Sequence, residues 1–199
     1  MGKHPISYGD PRVRGFMMEF ADNAAHFQQL QEDAPDLSSV FQRFRDDTCN
    51  LFTLAVNQYP PTDSESFLMK PHIDRRYGSA SFDPHVLPRS TMVGFLAFPA
   101  SGRGGELVVL PEPGIQSANS SIPREGARAW VAQHRGHLIE PRPGRACVLI
   151  GALPHAVIGY EGNSGDGWRM VWVLAQFLVP SDVARATPYR RLSAAESSR

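Results

Sequence analysis

The chain has 199 residues, 42% of them apolar and 20% charged, with 20 basic residues against 20 acidic ones. That length and balance fit one soluble globular domain, or one domain with an extra helical layer, large enough to bury a sizeable core. Zero formal net charge lacks the basic excess of a protein built to grip nucleic acid or an anionic membrane, so neither is expected as a partner.

The opening "MGKHPISYGD" has no apolar leader segment and the longest apolar runs are strand-sized, so a soluble, cytoplasmic protein is expected. Residues 1 to 20 are mixed. From Ala21 to about Asp47 the pattern is helical: "ADNAAHFQQLQED" is rich in helix formers, and Pro35 separates it from "DLSSVFQRFRDD". Asp36 is the expected N-cap after that break, and Phe41 and Phe44 are expected to share a face.

After residue 48 the character changes. Short apolar or alternating runs appear: "CNLFTLAVNQY", "SFLMKPHI", "TMVGFLAF", "ELVVL", "ARAWVAQH", "RACVLIG", "HAVIGY" and "WRMVWVLAQFLV". Turn-rich connections such as "PPTDSES", "PASGRGG", "PEPG", "EPRPG" and "GNSGDG" separate them. Many short strands at this spacing predict an all-β sandwich, jelly roll or barrel behind the helices. The end, "PSDVARATPYRRLSAAESSR", is polar and is expected to fray. The expected organisation is one domain over 1–199: helical support over 1–47, a β-core over 48–179 and a tail over 180–199. Cys49 and Cys147 both sit in apolar runs and are expected to be buried free thiols.

The stretch "FLMKPHIDRRYG" places His72 and Asp74 two residues apart after an apolar approach. At the end of a strand, residues i and i+2 project to the same side. A facial iron site needs two imidazoles and one carboxylate, leaving three positions open. His-x-Asp supplies two of the three ligands, and the third must come from a distant strand. The segment "PGRACVLIGALPHAVIGYEGNSGDGWRMVWVLAQF" offers His155 between two strands, then Arg169 at the start of the last apolar strand. Between the halves, "SGRGGELVVLP" is a Gly-Gly turn feeding a strand, with Gly104 and Gly105 structural and Glu106 turned to solvent or capping a network.

The order His-x-Asp, Gly-Gly-Glu-Leu, Leu-Pro-His-Ala-Val, Arg resembles the iron(II)/2-oxoglutarate dioxygenases, most closely the prolyl-4-hydroxylase-like branch, over roughly residues 50 to 178. The resemblance implies a mainly β fold with N-terminal helices, a double-stranded β-helix or distorted jelly roll. It implies His72, Asp74 and His155 as ligands of Fe(II), and Arg169 as partner of the distal carboxylate of the cosubstrate 2-oxoglutarate. Tyr59, in "VNQYPP", falls where the family often has a tyrosine donating to the same carboxylate, and "EGNSGDG" reads as an enlarged hairpin ahead of Arg169. The implied reaction uses O2 to hydroxylate an unactivated C–H of a small molecule such as an amino acid or biosynthetic intermediate, with succinate and CO2 as coproducts. A carboxylate at Asp74 argues for hydroxylation, or for a related oxidation such as desaturation or ring formation, and against halogenation.

Other residues are weighed against that frame. Arg75 and Arg76 follow the metal motif, and either is placed to hold the carboxylate of an acidic substrate, as are Arg103 and Arg145. His134 and His137, in "WVAQHRGHLIEP", read as exposed histidines of a hairpin turning at Arg135–Gly136. Trp168 and Trp172 belong to the last strand, as core or as pocket wall. Three rival functions stay open. A peptidyl or protein prolyl hydroxylase would use "RRYGSASFDPHVLPRS" as a substrate loop. A nucleic-acid repair dioxygenase echoes in "NQY", yet Ala175 stands where that branch has a second arginine. A non-catalytic cupin-like binding module would call for His-x-His, which "HID" does not supply.

Overall fold

The computed structural model describes residues 13–75, 85–111, 126–163 and 167–193. In chain order, β1 spans Arg14–Ala21, α1 Ala24–Asp33, α2 Pro35–Phe44, β2 Leu51–Tyr59, β3 Phe67–His72 and β4 Ser90–Ala97. There follow β5 (Arg103–Gly104), β6 (Leu107–Val109), α3 (Ala127–Gln133), β7 (His137–Ile139), β8 (Ala146–Ile150) and β9 (His155–Ile158). The chain ends with β10 (Tyr160–Glu161), β11 (Arg169–Phe177), α4 (Ser181–Ala186) and β12 (Arg190–Ser193). The fold is mainly β. One sheet has six strands in the order β12-β1-β2-β11-β4-β8, a second has four in the order β3-β9-β6-β7, and β5 and β10 form a small ribbon. From β2 onward the chain crosses between the sheets: β2 lies in the larger, β3 in the smaller, β4 in the larger, β6 and β7 in the smaller, β8 in the larger, β9 in the smaller and β11 in the larger.

The larger sheet is covered on both faces, which is why β2 and β11 read as continuous apolar runs rather than alternating ones. On its outer face lie α1 and α2. Asn23 caps α1 by accepting the His26 backbone N–H at 2.9 Å, and Pro35 opens α2, where its missing N–H costs nothing. Phe41 of α2 packs at ring-centroid distances of 5.0 Å on Phe20 and 4.8 Å on Phe52, while Phe44 stacks on Trp172 at 5.9 Å. Each such buried ring contributes about 1.5–3 kcal/mol by leaving water. Gly94 leaves the space that the Trp172 indole occupies; a Cβ there would lie 2.0 Å from the ring. The Gln176 side chain ties the end of α2 to the sheet, donating to the Phe44 carbonyl and the Ser90 hydroxyl and accepting from the Asp46 N–H. The inner face meets the four-stranded sheet in a cluster that includes Tyr59, Val93, Phe95, Leu107, Tyr160 and Val171.

Several expectations are corrected. The N-terminal segment is not helical support alone: β1 precedes the helices and pairs with β2 along its whole length. Gly15 and the run of methionines hide the strand pattern. The tail carries α4 and then β12, which closes the sheet against β1. Asp36 lies in the first turn of α2, and Ala34 takes the N-cap position. "ARAWVAQH" forms α3 rather than a strand, because Ala127, Trp130 and Val131 fall on one helical face and bury together with Val108 and Ile158. Its end is a left-handed cap at Arg135 (φ 54°), with Gly136 N–H donating to the Val131 carbonyl at 2.8 Å. His134 is therefore no exposed turn residue; it is half-buried, stacked on Trp130 at 3.9 Å, whereas His137 is exposed. Cys49 is buried and Cys147 half-buried, both free. Arg76 and residues 76–84 of the suggested substrate loop lie outside the described residues. Among the described residues no helix is long and apolar enough to cross a membrane.

Candidate metal centre and anion pocket

β3 and β9 are neighbours in the smaller sheet, and their register sets His72 opposite His155. The rings approach to a centroid distance of 4.4 Å. Asp74, two residues past His72, sends its carboxylate between them, with Oδ2 3.4 Å from His155 Nε2 and Oδ1 3.7 Å from His72 Nε2. The structure thus gathers all three residues, their ligand atoms within 4.8 Å of one another. Both imidazoles are oriented by backbone: His72 Nδ1 lies 2.8 Å from the Lys70 carbonyl and His155 Nδ1 3.2 Å from the Leu153 carbonyl. A carbonyl only accepts, so each Nδ1 carries a proton, and Nε2, on the Asp74 side, is the nitrogen left to bind a metal. This is how metal-binding histidines are commonly held.

Burial opposes charge on Asp74, but His155 and then His72 outweigh it and hold the carboxyl well below the usual carboxylate range. Burial likewise opposes protonation of His155, and Asp74 overcomes it, raising the imidazole above its ordinary value. Asp74 Oδ2 is buried with no hydrogen-bond partner. Two neutral imidazole nitrogens and a carboxylate on one side of a small space form a donor set that suits a divalent transition metal, and a cation there would satisfy the buried oxygen.

Arg169 opens β11 and pairs in register with Tyr59 at the end of β2. Its side chain is fully buried. Nε donates to the Gly105 carbonyl at 3.2 Å, while Nη1 and Nη2 have no hydrogen-bond partner. The guanidinium carbon lies 5.3 Å from the Tyr59 ring centre and 5.5 Å from that of Phe95. Burial lowers the guanidinium to about 10, partly offset by Tyr59, Tyr160 and Glu106, so it stays cationic at neutral pH. Burial also pushes the Tyr59 phenol up, against the pull of Arg169. A buried cation with two unpaired nitrogens costs several kcal/mol unless an anion meets it. The planar fork matches a carboxylate.

One cavity joins the two parts. It is lined by Asp74 and His155, by Arg169 and Tyr59, and by the apolar walls Val93, Leu107, Val157 and Val171. Its volume is about 20 Å³, room for one or two water molecules. A dicarboxylate entering it must push the walls apart.

Sequence reasoning missed the residues that aim Arg169. The Tyr160 hydroxyl donates to the Tyr59 carbonyl at 2.6 Å and accepts the Arg169 backbone N–H at 3.0 Å. It clamps β2 to β11 where the arginine begins. Gly105, expected to be structural, also supplies the carbonyl for Arg169 Nε. Gly104 and Gly105 do make the expected tight turn, at φ 89° and 75°. A Cβ at Gly104 would lie 2.5 Å from the Gly159 carbonyl. Glu106 is paired, 2.8 Å from Arg128 of α3. Neither tryptophan lines the cavity: Trp172 faces the helices, and Trp168 sits under the Arg14 guanidinium at 5.1 Å.

No protein-family model matches the chain, and no curated protein is similar to it. Solved structures are similar at low identity. A Pseudomonas putida prolyl-4-hydroxylase overlaps 86% of this chain and 76% of that one, with 16% identity and a TM-score of 0.42. The viral collagen prolyl hydroxylase of Paramecium Bursaria Chlorella virus-1, solved as a 2OG complex, overlaps 88% and 85%, with 12% identity and a TM-score of 0.39. A bsmA homologue from Methylobium petroleophilum overlaps 84% and 70%, with 11% identity and a TM-score of 0.40. Likeness at this level says nothing of chemistry, which rests on the residues above.

Proposed function

We propose that the chain is an iron(II)/2-oxoglutarate-dependent dioxygenase of the prolyl-4-hydroxylase-like kind, a single domain built on a double-stranded β-helix. The observation that carries the reading is a buried arginine with an unmet fork in the same cavity as a His-Asp-His cluster. The crossing of the chain between two antiparallel sheets supports the fold. The joining of β1 and β12 to the larger sheet supports one domain.

In this reading His72 and His155 hold the metal through Nε2 and Asp74 through one carboxylate oxygen. Arg169 takes the distal carboxylate of 2-oxoglutarate in a two-pronged contact, with Tyr59 beside it. When bound, iron and 2-oxoglutarate supply the oxidation of a C–H bond by O2, releasing succinate and CO2. Val93, Leu107, Val157 and Val171 keep water from the reacting end. The carbonyls of Lys70 and Leu153 keep both imidazoles in the tautomer that ligates. Asp74 fills the third protein position, which favours hydroxylation over halogenation. The substrate is a small molecule such as an amino acid or biosynthetic intermediate.

Anaerobic titration of Fe(II) into the metal-free protein with 2-oxoglutarate, followed by visible absorption, tests this. A weak charge-transfer band that needs both components and disappears in His155→Ala is the expected result. No band from folded wild-type protein would turn the reading toward a non-catalytic binding module.

A further inference from the structure

Among the described residues the two sheets end in β12 and β8 on the larger and in β3 and β7 on the smaller. An open edge recruits other strands unless something blunts it. β12 carries Arg190 and Arg191, β3 carries Lys70 and Pro71, and β7 is only three residues long. β8 has none of these devices: Ala146–Ile150 hold neither charge nor proline. Arg145, just ahead of it, is engaged, its Nη1 donating to the Glu140 carbonyl at 3.0 Å. Cys147 and Leu149 turn inward, while Val148 is 55% and Ile150 78% exposed. A Cβ added at Gly144 or Gly151, on either side of the strand, would meet nothing within 4 Å, so both ends of β8 stand in open space.

The backbone of β8 is self-complementary. The Phe95 N–H donates to the Arg145 carbonyl at 2.9 Å and the Gly151 N–H to the Arg89 carbonyl at 2.6 Å. These mark the hydrogen-bonded pairs with β4, which alternate along an antiparallel ladder with non-bonded ones. Ala146 opposite Gly94, Val148 opposite Met92 and Ile150 opposite Ser90 take the alternate places, so the N–H and C=O of Ala146, Val148 and Ile150 point off the sheet. That set is symmetric about Val148. A two-fold axis there brings Val148 opposite the second copy's Val148 and Ala146 opposite its Ile150, with backbone bonds exchanged at each pair and apolar side chains side by side. The same register sets Arg145 opposite Gly151, so no cation faces another, and copies with zero formal net charge do not repel at a distance. We propose that β8 joins two copies of this chain, edge to edge and antiparallel, into one continuous sheet. A pairing this short falls at the small end of specific interfaces, about 1,200 Å² in all, so the dimer is weak, with a Kd on the order of 10 μM.

Sedimentation equilibrium of the full chain from about 1 to 200 μM, a range that brackets the expected Kd, tests this. The mean mass should rise from that of the 22.0 kDa monomer toward twice that value. Val148→Lys sets two like charges face to face across the axis and should weaken association about tenfold or more, with the thermal midpoint of the monomer unchanged because the position is exposed. Amide exchange followed by NMR supplies a second readout. The amides of Val148 and Ile150 should exchange fast in dilute protein and slow as concentration rises, while those of Cys147 and Leu149, bonded to β4, stay protected throughout. A monomer at every concentration overturns the proposal. So does a dimer that Val148→Lys leaves intact, which joins through another surface. Protection of the Val148 amide in dilute monomer overturns it as well, since another segment of the same chain then covers the edge.

Discussion

The two faces of the six-stranded sheet are built from the same strands and solve opposite problems. On the outer face every large group has found its partner: Phe20, Phe41 and Phe52 interlock, Trp172 fills the space left by Gly94, and the Gln176 amide makes three hydrogen bonds. On the inner face, at the end where β2 meets β11, a fully buried arginine keeps two nitrogens unmet, and a carboxylate oxygen nearby in the same cavity is also unmet. A fold stabilised by a net of only about 5–15 kcal/mol can hold such a deficit on one side because the other side is packed without one. Stability and binding are thereby assigned to different faces, and substitutions should separate them.

The largest effect is expected on the packed face. Phe41→Ala removes a ring that touches Phe20, Phe27 and Phe52, and should cost about 3–5 kcal/mol. Calorimetry should show the melting temperature falling by about 6–20 °C, with Fe(II) affinity unchanged below the transition. A loss of metal affinity in folded Phe41→Ala would break the separation. Arg169→Met should do the reverse. 2-Oxoglutarate affinity should fall by about 2–5 kcal/mol, measured by anaerobic calorimetry. The ligand-free protein should melt at the same temperature or higher, since an apolar side chain replaces an unpaired buried cation. A marked drop in melting temperature would make that arginine structural. Tyr160→Phe is intermediate in kind and smallest in size. It leaves the Tyr59 carbonyl and the Arg169 N–H without their bridge, and should cost about 1–3 kcal/mol of stability together with a few-fold loss in 2-oxoglutarate affinity. If stability falls and affinity does not, Tyr160 closes the sheet without aiming Arg169.

The strands of the core and the ligand candidates were legible because each rests on a local pattern. His72 and Asp74 show the two-residue period of a strand end, and the β-runs carry their own turn signals. Register then did what no local pattern can: it set His72 opposite His155 and Tyr59 opposite Arg169. Tyr160 was illegible as a bridge because its two partners are backbone groups of other strands, and a phenol's preference for them leaves no mark on its neighbours in sequence. α3 was misread because "ARAWVAQH" alternates well enough for a strand, and only the buried face formed by Ala127, Trp130 and Val131 decides for a helix. β1 escaped because Gly15 and two methionines carry little strand propensity; pairing with β2 and β12 imposes the strand.

The register of β2 with β11 also governs the order of events during synthesis. β2 leaves the ribosome early, but its partner follows roughly a hundred residues later, a wait of about 5–20 s at roughly 5–20 residues per second. His72 and Asp74 wait similarly for His155. Through that interval one long edge of an apolar strand has no β11 to pair with, so the nascent chain passes through a sticky stage that the finished protein does not show. Slowing translation within β11 should lengthen that exposure and raise the share of chains lost to aggregation.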